Sequence, residues 1–384
     1  MKKITWVNFL HIYQPPWQTV GVVQQVASQS YEYLISLFKK YPQYKATINI
    51  SGCLLDMLSE LRPDLIKDLQ VLVKRGQIEL TGSSKFHALL PLLDTTEVVR
   101  QIMLHDEALN KYFPNYKAQG FYLPEMAYSP SLAKIIKKLG YQWLILDPIC
   151  SSEKIDHETL YTIKNVGLKV VFRDRVISKK YPAEEIFNKL EQNNGEELII
   201  SATDGEIYGH RHEDWQGHIE KVLTHRQVEI KTISQYLPGL QGQKNINLHS
   251  ASWESSEKEL KNNTPFLLWS DPKNKIHKDL WSLLDLASSL LKKYKKDPSF
   301  QWARMHLDAG SASCTFWWAS ARQPSDFSPL TWHPDMIDNG VEELVRSIRS
   351  LEKATSQEKM QAEKLYLNVK KNTWTTHWKK YSKS

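Results

Sequence analysis

Two acidic residues stand where short apolar runs end. Glu125 lies in Tyr122-Leu123-Pro124-Glu125-Met126-Ala127-Tyr128, and Asp204 opens Asp204-Gly205-Glu206-Ile207-Tyr208-Gly209. Two carboxyls held by separate rigid elements are the equipment of glycosidic cleavage. One attacks the anomeric carbon or activates water, and the other protonates the leaving oxygen. Each also has a structural alternative. Glu125 would cap the helix that opens after Ser129, and Asp204 would form an Asx turn with Gly205. A third run is followed by His11-Ile12-Tyr13-Gln14-Pro15-Pro16-Trp17, and a fourth carries Glu79, with Phe86-His87-Ala88 shortly after. His11 reads equally as a buried histidine bonded within its own turn. No metal site is expected. No second histidine lies two to five residues from His11, no HExxH or CxxC occurs, and His210 and His212 lack further ligands. In Phe316-Trp317-Trp318, adjacent helical positions do not face one way, so at least one tryptophan belongs to a core.

Rigid elements must position these groups. Apolar runs at 4–10, 46–50, 77–80, 117–123, 141–146, 168–172 and 197–202 read as seven strands. Helical spacing covers 30–40 and 63–74, the latter closed by Gly76. Ser129-Pro130 supplies an N-cap and first turn for a helix that Gly140 ends. Strands separated mostly by helices argue for a parallel sheet with βα crossovers, and seven of them suit a closed or nearly closed barrel. In such a barrel, chemistry sits just past the strand ends, where Glu125, Asp204 and His11 lie. After about residue 250 the pattern turns helical, at 275–294, 298–320, 336–354 and 358–381. The expected division is a barrel over 1–262 and a helical domain over 263–384 that contributes to the rim of the site.

Composition narrows the field. Apolar residues make up 41% and charged residues 24%, which excludes wholesale disorder. No apolar run reaches the ~20 residues of a membrane span. Residues 2–10 begin like a secretory leader, but Thr5 and Asn8 interrupt them and no cleavage site follows. Three widely spaced cysteines, Cys53, Cys150 and Cys314, suit a reducing cytosol rather than a disulfide framework. The net charge of +7 comes partly from Lys370, Lys371, Lys379, Lys380 and Lys383 near the end, which read as a solvated helix face. No nucleic-acid motif accompanies it, so neither nucleic acid nor membrane is an expected partner. The 13 Trp and 17 Tyr are a surplus of flat faces with polar handles, the kind of surface that stacks on sugars.

Taken in order along the chain, these residues resemble glycoside hydrolase family 57. His11-Ile12-Tyr13-Gln14-Pro15 stands for that family's His-x-His-Gln-Pro, with Tyr13 in place of the second histidine. Gly76-Gln77-Ile78-Glu79-Leu80 with His87 stands for the second motif, and residues 308–321 for a Trp-rich fifth. Glu125 matches the family's nucleophile and Asp204 its acid/base. The resemblance implies an incomplete (β/α)7 barrel followed by a helical bundle, and a retaining hydrolase or transglycosidase acting on an α-glucan or maltooligosaccharide. It implies no cofactor. His11, Tyr13, Gln14, Trp17, Glu79, His87, His210, Trp317 and Trp318 are then expected to bind substrate. A tyrosine at 13 donates a hydrogen bond and stacks, but does not become cationic. Two alternatives remain: a non-catalytic glucan-binding relative of the same fold, and a metal-dependent polysaccharide deacetylase. Oligomeric state, linkage preference and the choice between water and sugar as acceptor stay open.

Overall fold

A computed structural model describes residues 3–192, 197–240, 242–323 and 330–381. Lys2 and Lys383, which entered the leader and charge arguments, lie outside them. The chain divides into two compact units. The first comprises Met1–Gln14, Gln18–Lys85 and Leu90–Trp253; the second comprises Pro15–Trp17, Phe86–Leu89 and Glu254–Ser384.

The first unit is α/β, with two five-stranded sheets. In chain order its strands are β1 (Ile4–Ile12), β2 (Ala46–Ile50), β3 (Ile78–Leu80), β4 (Gly120–Tyr122), β5 (Trp143–Leu146), β6 (Thr159–Ile163), β7 (Lys169–Phe172), β8 (Glu197–Asp204), β9 (Val228–Lys231) and β10 (Gly242–Ile246). One sheet runs β3-β2-β1-β8, with β9 also on β1; the other runs β10-β6-β7-β5-β4. Every pairing is parallel except β6 with β7. The sheets meet at a parallel bridge between Gly82 and Phe121, where Gly82 N–H donates to the Gly120 carbonyl and Tyr122 N–H to that of Gly82, each at 2.9 Å. All seven expected strands are present. β6, β9 and β10 were not expected.

β1 is apolar on both faces because both are covered, as parallel strands require. Val7 and Phe9 pack with Tyr122, Trp143, Ile145 and Ile200. Trp6, Leu10 and Ile12 pack against helix residues such as Phe38, Leu54 and Leu69. Each large side chain buried this way contributes about 1.5–3 kcal/mol. The helix Pro63–Lys74 runs as its spacing requires, with Pro63 at its start and Leu65, Ile66, Leu69 and Leu72 buried. The expected helix at 30–40 is one piece of a longer helical run, Val20–Val26 and Glu32–Lys40, joined by a π-turn at Ala27–Tyr31.

The second unit is mainly helical: Glu257–Lys261, Lys275–Lys293, Phe300–Gly310, Ser313–Trp318, Pro334–Arg349 and Ser356–Lys380. The single helix expected over 298–320 is broken. Ser311 turns its hydroxyl back to the Asp308 carbonyl and Ala312 is extended, which starts a new helix at Ser313. No helix among the described residues is long and apolar enough to cross a membrane.

Candidate active site

The end of β1 sets the frame. His11 is in register with Asp204 of β8 on one side and with Asn49 of β2 on the other. Its Nδ1 lies 2.9 Å from the Asn49 side-chain oxygen, and the Asn49 amide donates to Thr81 at 3.2 Å. That network assigns the proton to Nδ1 and makes Nε2 an acceptor. Burial lowers the His11 pKa to about 4, against the opposing charge of Asp204, so the ring is neutral at pH 7. The buried-histidine alternative is thus half right. His11 is structurally bonded, yet it sits beside a candidate carboxylate.

Tyr122, the last residue of β4, stacks on His11 with centroids 4.6 Å apart and on Phe9 at 5.3 Å. Trp253 meets both His11 and Tyr122 edge-on at 6.2 Å. Burial, then the charges of Glu125 and Asp204, push the Tyr122 hydroxyl well above its usual range, so it stays protonated. Tyr13 also lies near parallel to His11, with centroids 6.2 Å apart.

Glu125 follows β4 in a single turn, Pro124–Met126, with φ of 60° at Glu125 and 46° at Met126. Two successive non-glycine residues in the left-handed region cost about 1–3 kcal/mol each and persist only where their surroundings hold them. The Glu125 carboxylate accepts from the Trp253 indole at 3.1 Å. The helix after Ser129 has Ser129 itself at its N-cap position.

Asp204 ends β8. Its side chain does not cap the turn that follows; it is ion-paired with Arg211 at 2.6 Å and 31% exposed. The Asx-turn alternative therefore fails. Glu206, two residues on, is buried and accepts from the Tyr31 hydroxyl at 2.7 Å and from Gln14 at 3.5 Å. Burial raises its pKa and the charge of Asp204 adds to this, against the pull of Arg211. The π-turn explains how this loop is held. Gln29 meets His210 at 2.6 Å, Ser30 donates to the Gly205 carbonyl at 3.0 Å, and Tyr31 bonds Glu206. The bulge thus presents three successive side chains to residues 205–210. Gly209, at φ 93°, leaves no room for a Cβ against the Gln29 carbonyl.

The structure therefore gathers Glu125, Asp204, His11 and Tyr13 around Tyr122 and Trp253, with Gln14 beside Glu206. Glu79 is elsewhere. It pairs in register with Thr47, one side-chain row below Asn49, and its carboxylate takes bonds from Thr47 at 2.9 Å, the Ser234 N–H at 3.1 Å and the Ser234 hydroxyl. Its carboxylate is committed to holding the sheet. The second unit carries Trp17, His87, Trp317 and Trp318. There His87 Nδ1 lies 2.9 Å from the Ser313 hydroxyl. Trp317 and Trp318 are both half-buried and meet edge-on at 4.5 Å, while Phe316 is the core residue of that run and stacks on Trp281. Tyr122, Trp253, Arg211 and Glu206 join the candidate site without having been singled out. Among the described residues, no three His, Cys, Asp or Glu side chains gather around one metal-sized space.

Comparison with known proteins supplies the context. The profile of glycosyl hydrolase family 57 matches residues 13–249. An alpha-amylase of Pyrococcus abyssi is 29% identical over 147 residues, which are 38% of this chain and 22% of that one. This chain thus spans less than a quarter of that relative's length. The crystal structure of a 4-alpha-glucanotransferase from Thermococcus litoralis superposes with a TM-score of 0.72 at 18% identity, over 92% of this chain and 60% of the other. That of a branching enzyme of the same family from Thermococcus kodakaraensis gives 0.64 at 17% identity, over 96% and 95%. At such identities the superpositions establish a shared fold.

Proposed function

This chain belongs to glycosyl hydrolase family 57, and on that footing we propose that it is a retaining α-glucan-active glycosidase or transglycosidase. The wall of strands is read as the family's incomplete (β/α)7 barrel, and the helical unit as its C-terminal bundle. One observation carries the assignment: two carboxylates from different strand ends, Glu125 and Asp204, flank one buried aromatic cluster of His11, Tyr122 and Trp253.

In the first step Glu125 attacks the anomeric carbon, the glycosidic C–O bond breaks, and Asp204 delivers a proton to the leaving oxygen. In the second step Asp204 takes a proton from water or an acceptor hydroxyl, which displaces Glu125. Asp204 is ion-paired with Arg211, so Arg211 must release it before Asp204 carries a proton. Arg211 is half exposed and on a turn, and an entering sugar hydroxyl can take its place. His11 accepts a bond from a sugar hydroxyl through Nε2, Tyr122 backs the His11 ring, and Tyr13 and Gln14 line the approach. Trp17, His87, His210, Trp317 and Trp318 are proposed as further sugar contacts.

The same Arg211–Asp204 pair is the observation that favours the alternative, a non-catalytic glucan-binding protein, since it holds the acid/base as the anionic partner of a cation. Incubation with maltooligosaccharides and sizing of the products separates them. Shorter products alone mean hydrolysis, longer ones transfer, and new branch points branching. Unchanged oligosaccharides that nonetheless bind would replace the enzyme assignment with the alternative.

A further inference from the structure

We propose that Trp253 is the positioning residue for Glu125, and that Arg173 locks it in place from behind. The inference rests on the assignment of Glu125 as nucleophile and adds what holds it. The Glu125–Met126 turn is strained, so something outside it must fix its shape. The segment 251–253 does so through backbone bonds. Tyr128 N–H donates to the Ala251 carbonyl at 2.8 Å, Ala251 N–H to that of Tyr128 at 3.3 Å, and Trp253 N–H to that of Glu125 at 3.2 Å. The Trp253 indole then adds a side-chain bond to Glu125 Oε2 at 3.1 Å. One residue thus grips both the backbone and the carboxylate of Glu125.

The indole is itself immobilised. It is 8% exposed, and Arg173 lies over its ring at 5.2 Å. Arg173 is 4% exposed and takes no part in the two proton transfers. Its Nε and Nη2 bond the fully buried Asp147 at 2.8 and 2.7 Å, and its Nη1 donates to the Ala202 carbonyl at 3.1 Å. Ala202 precedes Asp204 by two residues on β8. A single buried guanidinium therefore joins the strand that bears Asp204 to the ring that holds Glu125. A planar fork with five donors suits this, since it spans both partners while its face lies on the ring; a lysine's compact ammonium has neither the span nor the flat face.

The test compares wild type, Trp253→Phe, Trp253→His and Arg173→Lys, using single-turnover rates on a maltosyl fluoride and affinity for maltotriose. Trp253→Phe keeps the ring and removes the N–H, whereas Trp253→His keeps a donor. Misplacing a reacting group by about 1 Å costs about 100-fold. The expected result is a loss of that order in Trp253→Phe with affinity for maltotriose unchanged. Partial recovery is expected in Trp253→His, and a smaller loss in Arg173→Lys. Full single-turnover activity in Trp253→Phe would overturn the proposal while leaving Glu125 as nucleophile. So would a rate loss matched by an equal loss of affinity. If Trp253→Phe does not fold, a fully active Arg173→Lys overturns it instead. A wild type with no activity on the fluoride would overturn the assignment beneath it, and the proposal with it.

Discussion

Replacing His105 with glutamine should make the protein less sensitive to acid. His105 sits on the helix Thr95–Tyr112, fully buried, and its Nε2 lies 3.3 Å from the Thr81 carbonyl. It thus braces the residue that Asn49, and through it His11, leans on. Burial lowers its pKa to about 4, from 6.5 for a free histidine. On acidification the unfolded chain takes up this proton first. Stability is therefore complete above ~6.5 and falls with pH until the folded form protonates near 4. At 1.36 kcal/mol per pH unit, the single site costs about 2 kcal/mol by pH 5 and about 3 kcal/mol by pH 4. Glutamine preserves a donor and does not titrate. His11 and His277, also held at about 4, push the same way, and the raised Asp106 and Glu206 push the opposite way. All four are common to both proteins and cancel in the difference. Urea unfolding at pH 7.5, 6 and 5 should show wild type losing about 2 kcal/mol more than His105→Gln between the extremes. Parallel pH dependences in the two proteins would refute the reasoning, whatever their absolute stabilities.

Two further outcomes are expected. Arg211→Met removes the cation that Asp204 must shed before it carries a proton, so turnover of maltooligosaccharides should rise relative to that of a maltosyl fluoride, which needs little acid help; an equal change on both would argue against an acid role. In the helical unit, a Cβ at Gly340 would run into the buried Thr315 side chain, so Gly340→Ala should cost about 1–3 kcal/mol by overpacking. A calorimetric scan that leaves the melting temperature unchanged would show that this contact relaxes freely.

How much was legible in the sequence differed from residue to residue. The helix Pro63–Lys74 was plain because Leu65, Ile66, Leu69 and Leu72 repeat on one face, a proline opens it and Gly76 follows it at φ 70°. β1 and β8 were plain because each carries a run of large aliphatic or aromatic residues, Trp6, Val7, Phe9 and Leu10 in one and Leu198, Ile199 and Ile200 in the other. β9 and β10 were not. Val228–Lys231 alternates at the edge of a sheet, and Gly242–Ile246 buries only Ile246 fully. Missing β10 hid Trp253, which otherwise follows a strand as Glu125 and Asp204 do. Arg211 gave no pattern at all, since its approach to Asp204 depends on a turn closed by Arg211 N–H to the Glu206 carbonyl and by Gly209 N–H to that of His212. The bond of Glu79 to Ser234 gave no signal, because the two lie 155 residues apart in sequence.

The most direct measurement is to look for sugar on Glu125. Asp204→Ala should still form the covalent intermediate from a maltosyl fluoride, whose leaving group needs little protonation, and then stall for want of a base. Intact-protein mass spectrometry should show one added maltosyl unit, peptide mapping should place it on Glu125, and azide should discharge it as the glycosyl azide. No adduct in Asp204→Ala with an active wild type, or an adduct on any residue other than Glu125, would contradict the account.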